Sequence, residues 1–142
     1  NSTVTIIECT ESMSLAWNSI DFETLKPSTE AVSNPAPGNE NKLYNITNTG
    51  TCNLNIWIKG TDLQNTTYNS LINVSNLTWS NTSSTYNPST VYNMSYYYNL
   101  VNSSLSQNLN LTTYYWLAVP AVYSGKYEGT ITICGNYSTT CD

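Results

Sequence analysis

The chain has 142 residues, of which only 9% are charged, against roughly 25% in an ordinary soluble domain. It contains four Lys, no Arg and no His, and its net charge at pH 7 is −5. These numbers exclude imidazole acid–base catalysis, His metal ligation and bidentate Arg recognition of phosphate, and they argue against nucleic acid as a partner. No stretch approaches the roughly 18–20 apolar residues of a membrane span, the longest apolar run lying around Tyr114–Val119. What replaces the charges is amide and hydroxyl: Asn 21, Ser 18, Thr 21 and Tyr 12.

In chain order, Ser2–Cys9 is β-prone, with Val4, Ile6 and Ile7 among threonines. Two readings stay open for it: a first strand of the domain's own sheet, or a strand donated to a neighbouring subunit. Strands are then expected near Ser14–Phe22 and Leu43–Ile46, separated by a long loop marked by Lys26-Pro27 and Asn34-Pro35-Ala36-Pro37-Gly38. Asn53–Lys59 alternates most clearly, with Leu54, Ile56 and Ile58 on one face and Asn55, Trp57 and Lys59 on the other. Further strands are expected near Leu71–Val74 and Leu77–Trp79. Asn65–Asn69 and Asn81–Asn87 read as loops. Val91–Asn99 alternates with Tyr92, Met94, Tyr96 and Tyr98 on one face. Thr113–Val119 groups Tyr115, Leu117 and Val119, and Thr130–Cys134 groups Ile131 and Ile133. Many short strands with no helical period predict an all-β chain, a single Ig-like or jelly-roll-type β-sandwich. The expected division is an N-terminal tail over 1–12 and a sandwich domain over 13–142.

Four cysteines, Cys9, Cys52, Cys134 and Cys141, with no CxxC spacing, point to disulfides before zinc. Three pairings are open; a short loop between Cys134 and Cys141 would leave Cys9 with Cys52. Ten Asn-x-Ser/Thr sequons occur, at Asn1, Asn45, Asn65, Asn73, Asn76, Asn81, Asn93, Asn102, Asn110 and Asn136. Chance placement at this composition gives about six. Disulfides and sequons together predict an extracellular, glycosylated chain with its leader removed. The only expected prosthetic chemistry is covalent N-glycan.

Nine carboxylates are present, but Asp21 and Glu23 would share a strand face, which is poor geometry for flanking a glycosidic bond. A Ser nucleophile would lack its His base. The chain is therefore not expected to be an enzyme. Asp62 is the lesser candidate, as a calcium ligand. Tyr96-Tyr97-Tyr98 and Tyr114-Tyr115-Trp116 could stack on sugar, though alternate rings are better read as core and strand cover. Trp57 is the best candidate for an exposed functional ring.

Two stretches carry a family resemblance. Ser19–Leu63, with Leu25-Lys26-Pro27 and the turn Asn48-Thr49-Gly50, resembles secreted archaeal β-sandwich proteins related to the biofilm-fibre and camelysin-like family. Leu117–Cys134, with Val119-Pro120 and Gly129-Thr130-Ile131-Thr132-Ile133, is similar to the last strand pair of many extracellular sandwiches. The whole resembles the thread and bundling-pilus subunits of archaea. That resemblance implies a filament of identical subunits joined head to tail by donor-strand complementation, with roles in adhesion or biofilm and contacts to surface glycans or other cells. The alternative is a secreted monomeric carbohydrate-binding or cell-surface-layer module.

Overall fold

The structure, a computed structural model, describes residues 5, 8–16, 20, 22, 43–65, 67–83 and 85–141. Ten strands follow in order: β1 (Met13–Leu15), β2 (Leu43–Asn48), β3 (Leu54–Gly60), β4 (Leu63–Asn65), β5 (Ser70–Ile72), β6 (Leu77–Ser80), β7 (Tyr92–Asn93), β8 (Asn99–Leu105), β9 (Asn110–Leu117) and β10 (Ile131–Asn136). A 3-10 turn, Val74–Asn76, precedes β6. Every pairing is antiparallel. A five-stranded sheet has the order β1-β2-β9-β6-β7, a three-stranded sheet the order β10-β3-β8, and β4-β5 is a separate hairpin.

The two larger sheets share one core. Ile46, Leu77, Trp79, Leu111, Tyr115 and Leu117 come from the first, and Leu54, Ile56, Ile58, Val101 and Leu105 from the second. The chain is thus an all-β sandwich, as its alternation predicts. In β3 the apolar face is buried and Asn55, Trp57 and Lys59 are half-buried. Each of its three buried aliphatic side chains stabilises the sandwich by about 1.5–3 kcal/mol. Tyr115 and Thr113, both fully buried in β9, satisfy their hydroxyls on each other at 2.8 Å.

Two expectations need correction. Val91–Asn99 is not one long strand: β7 ends at Asn93, Met94 turns into the core at 2% exposure, and Tyr92 and Tyr96 are exposed. The cause is Gly60, where a Cβ would lie 2.6 Å from Met94 Cγ. Met94 fills the space that Gly60 leaves, and the chain bends to deliver it. Asn65–Asn69 is also not wholly loop, since Asn65 closes β4 and is 2% exposed.

The disulfides are Cys9–Cys52 and Cys134–Cys141. The first closes a span of 43 residues, worth about 4 kcal/mol of unfolded-chain entropy, and the second a span of 7, worth about 2 kcal/mol. No helix among the described residues is long and apolar enough to cross a membrane.

Candidate functional site

An Asn-x-Thr triplet has the same period as a β-strand, so a sequon in a strand turns Asn and Thr to one face and its middle residue to the other. In β2 and β9 the Asn45 and Asn110 sequons use this geometry, and their middle residues Ile46 and Leu111 are buried; Leu77 and Met94, the middle residues of the sequons that straddle the start of β6 and the end of β7, are buried as well. The register then sets sequons against each other. Asn45 pairs with Thr112, Ile46 with Leu111 and Thr47 with Asn110, so two whole sequons lie side by side in opposite directions. Thr78, the hydroxyl residue of the Asn76 sequon, pairs with Asn93 of another. The five-stranded sheet thus carries paired sequons, while Asn102 stands on β8 and Asn136 on β10 of the three-stranded sheet.

N-glycosylation replaces one hydrogen of Nδ2 and leaves Oδ1 free to accept. Asn110 is exposed and accepts the Thr47 hydroxyl on Oδ1. Exposed Asn73 caps the 3-10 turn through Oδ1, accepting from the Ser75 N–H and hydroxyl. Asn93 is exposed, while Asn45, Asn76 and Asn102 are half-buried. Three other sequons spend their amide nitrogen inside the fold. Asn81 Nδ2 donates to the Val101 carbonyl at 2.6 Å. Asn136 Nδ2 donates to the Thr140 carbonyl at 2.9 Å and lies 3.2 Å from Cys141 Sγ. Asn65 Nδ2 lies against Gly125, where even a Cβ would approach it to 2.3 Å. Asn1 lies outside the described residues, as do Val4, Ile6, Ile7, Asp21 and Glu23.

The root of the N-terminal tail is clamped to the body. Beside the Cys9–Cys52 bond, the Thr51 and Cys52 N–H groups donate to the Thr10 carbonyl, and the Thr49 and Gly50 N–H groups donate to the Ser12 carbonyl. The hydroxyls of Ser12 and Thr49 meet at 2.8 Å. Asn48 and Gly50 make this possible. Asn48 is fully buried, its Nδ2 donating to the Cys52 and Leu105 carbonyls and its Oδ1 accepting the Gly50 N–H. A Cβ on Gly50 would sit 2.3 Å from the Thr10 carbonyl oxygen. Residues 9–12 are thus held to the body.

The sheet edges differ in how they are protected. β1 has three residues and β7 two. β8 carries register shifts against β3 and a positive φ at Ser104, and Asn81 caps its Val101 carbonyl. Bulges, short strands and capping groups all discourage further pairing. β10 has no bulge and is not short, and the Cys134–Cys141 bond and the Asn136 Nδ2 bond to the Thr140 carbonyl tie the C-terminal loop to its second half. Its six residues pair with β3 in unbroken register, all six are half-buried, and among the described strands β3 is its sole neighbour.

The end of the sandwich where β3 finishes is aromatic. Tyr68 and Tyr123 stack at 5.2 Å, and both are exposed, as are Leu71, Tyr96 and Tyr97. Tyr127 ties the cluster together, its hydroxyl bonded to the Tyr123 carbonyl and the Ser70 hydroxyl. Asp62, the sequence's calcium candidate, turns Oδ1 to protein donors, the Tyr96 hydroxyl at 2.6 Å and the Val74 N–H at 2.8 Å. The Asp62 bond raises the Tyr96 phenol above its ordinary pKa, with smaller contributions from desolvation and the carboxylate charge. Tyr98 lies under the Lys59 ammonium at 4.5 Å. Tyr115 and Trp116 are buried, so the row Tyr114–Trp116 offers no open platform. Trp57 is half-buried, not open, and its Nε1 is buried without a hydrogen-bond partner.

Motif and residue count found the sequons and cysteines, but the sequence missed the Asn48–Gly50 clamp and the Tyr68–Tyr123 pair, whose partners lie far along the chain. Comparison with protein-family models, with curated proteins and with solved structures returned no match.

Proposed function

We propose that this chain is a subunit of a glycosylated extracellular filament of archaeal thread or bundling-pilus type, built from identical copies head to tail. The segment preceding Cys9, with Val4, Ile6 and Ile7, is the donated strand, and the β10 edge of the next copy accepts it. The observation that carries this reading is β10 itself: a regular, half-buried strand, with neither the bulge nor the short length of the other sheet edges, in a three-stranded sheet opposed to a five-stranded one. A donated strand adds main-chain bonds along that edge and apolar side chains against Ile131 and Ile133, which already pack on the core. A head-to-tail contact of this kind is heterologous and grows an open filament. Sequon asparagines stand on both sheets; of the two on the three-stranded sheet, Asn102 and Asn136, both are half-buried and Asn136 spends its amide nitrogen on the Thr140 carbonyl. Adhesion or biofilm formation is the role such a filament would serve.

Deleting residues 1–7, which keeps Cys9 and the clamp, is expected to leave a folded chain that forms no filaments in electron micrographs. Filaments from the truncated chain would overturn the reading. One observation favours a second reading, a secreted monomeric carbohydrate-binding module: the exposed Tyr68–Tyr123 stack and its neighbours Tyr96 and Tyr97. A sharp monomer peak of the intact native chain in size exclusion, with retention on a polysaccharide column, would establish that reading instead.

A further inference from the structure

The strand directions give the sandwich two distinct ends. At the root end lie Cys9–Cys52, Asn48, the turn leading from β8 to β9 and the C-terminal loop, where the Tyr137 N–H donates to Glu11. β3 runs from this end, at Leu54, to the aromatic end, at Gly60. β10 runs the opposite way, Ile131 pairing with Gly60 and Asn136 with Asn55. Of the ten exposed large apolar side chains among the described residues, Tyr68, Leu71, Tyr96, Tyr97 and Tyr123 gather at the aromatic end. Leu109 and Tyr137 are exposed at the root end.

These placements constrain how one copy can meet the next. The inference rests on strand donation as proposed above. The six residues of β10 span about 20 Å at roughly 3.4 Å per residue, and a donor rooted at Cys9 enters that edge from whichever end of the strand its root faces. In a head-to-tail filament the root end of one copy faces the aromatic end of the next. The donor then starts beside Ile131 and runs out toward Asn136, so that it lies antiparallel to β10.

We propose that the aromatic end, centred on Tyr68, Leu71 and Tyr123, is the seat for the root end of the next copy, which brings Leu109 and Tyr137 against it while its donor strand lies antiparallel to β10. The occupant is a second copy because the seat adjoins the chain leading into β10: Tyr127, bonded into the cluster, is followed by Glu128, which pairs with Gln64, and then by Gly129, Thr130 and β10. A donor arriving at Ile131 necessarily sets its root over these residues. Exposed tyrosines also suit a contact that forms between soluble copies. They bury large area at low side-chain entropy cost, and aromatic anchors carry most of the energy of such interfaces.

The test uses the full-length glycosylated chain. A photoreactive phenylalanine analogue replaces Tyr123, and cross-linked peptides are mapped in assembled filaments. In parallel, the Tyr68→Ser/Tyr123→Ser double variant and the 1–7 truncation are assayed for assembly. Cross-links from position 123 to residues 49–52, 106–109 or 137–141 of another copy are expected, together with assembly of the double variant slowed about tenfold or more at unchanged melting temperature. If the double variant melts lower, the cross-link map alone decides. Cross-links confined to the same copy or to another face, or assembly of an equally stable double variant at the wild-type rate, overturn the seat while leaving strand donation standing. Assembly of the truncated chain overturns strand donation itself.

Discussion

Asn48→Ala tests whether the buried amide holds the tail root to the body. Asn48 makes three side-chain hydrogen bonds at full burial: Nδ2 to the Cys52 carbonyl at 2.7 Å, Nδ2 to the Leu105 carbonyl at 2.8 Å, and Oδ1 from the Gly50 N–H at 3.0 Å. Each bond contributes roughly 1 kcal/mol net, and removing the amide leaves two carbonyls and one N–H without it. A loss of about 3 kcal/mol is expected, with a melting temperature lower by about 10 °C at this chain length. Asn48→Asp separates geometry from donation. Its shape is nearly identical, yet an ionised carboxylate cannot donate to either carbonyl and places a charge against both. It should cost more than Ala at pH 7 and recover part of the loss in acid, as the carboxyl protonates and can donate once. The assay is urea unfolding with both disulfides intact, followed by intrinsic fluorescence. A loss below about 1 kcal/mol for Asn48→Ala, or an Asn48→Asp variant as stable as wild type at pH 7, would refute the reasoning.

Four further outcomes are expected. Gly50→Ala puts a Cβ 2.3 Å from the Thr10 carbonyl oxygen and 2.8 Å from the Ser12 nitrogen, so the clamp must open; a loss of about 2 kcal/mol in urea unfolding is expected, with faster proteolysis near Cys9. The Tyr96 phenol is raised in the folded state, chiefly by its bond to Asp62, so its contribution is fully present below the unfolded value of 10.0 and is lost as pH rises through the folded value; Tyr96→Phe should flatten the alkaline fall of the melting temperature, and an unchanged alkaline profile would count against the bond. Between pH 7 and pH 3 the melting temperature should move by less than about 5 °C, because the ion pair found among the described residues, Lys126–Glu128, is strongly exposed, and a steep acid transition would contradict this. Peptide mass spectrometry of the native chain should find sugar on Asn73, Asn93 and Asn110 and none on Asn65; a glycan on Asn65 would mean that the chain does not close over Gly125 as the structure has it.

Much of the sandwich is legible in the sequence because its strands obey period two. β3 alternates without a fault, and β10 follows from Ile131 and Ile133. β8 is not legible, and the reason is physical. Val101 and Leu105 are its core residues, but Ser103 between them and apolar Leu100 are exposed, so its burial does not alternate where the register slips against β3 and Ser104 takes a positive φ. Val91–Asn99 misleads in the opposite direction, its alternation being perfect while the chain turns away to place Met94 over Gly60. Sequons are legible as a motif and illegible as sites. Nothing within the triplet at Asn65 reveals that its amide packs on Gly125, sixty residues later.

The scarcity of charge bears on the β10 edge as well as on the surface. Edge strands are usually kept from pairing by Lys, by inward-pointing charges, by Pro, by bulges or by being very short. A chain that is 9% charged has little of the first two to spend. Its other edges rely on what the composition does supply: two and three residues of length in β7 and β1, and in β8 a bulge with an asparagine cap at 2.6 Å. β10 runs six residues, Ile-Thr-Ile-Cys-Gly-Asn, with no charge, no Pro and no register shift. Bulges and short strands are therefore within this chain's reach and are absent from one edge alone among the described strands. This is the edge with which the proposed donor would pair, and the segment preceding Cys9 brings Val4, Ile6 and Ile7 among threonines, with Glu8 as its one charged side chain.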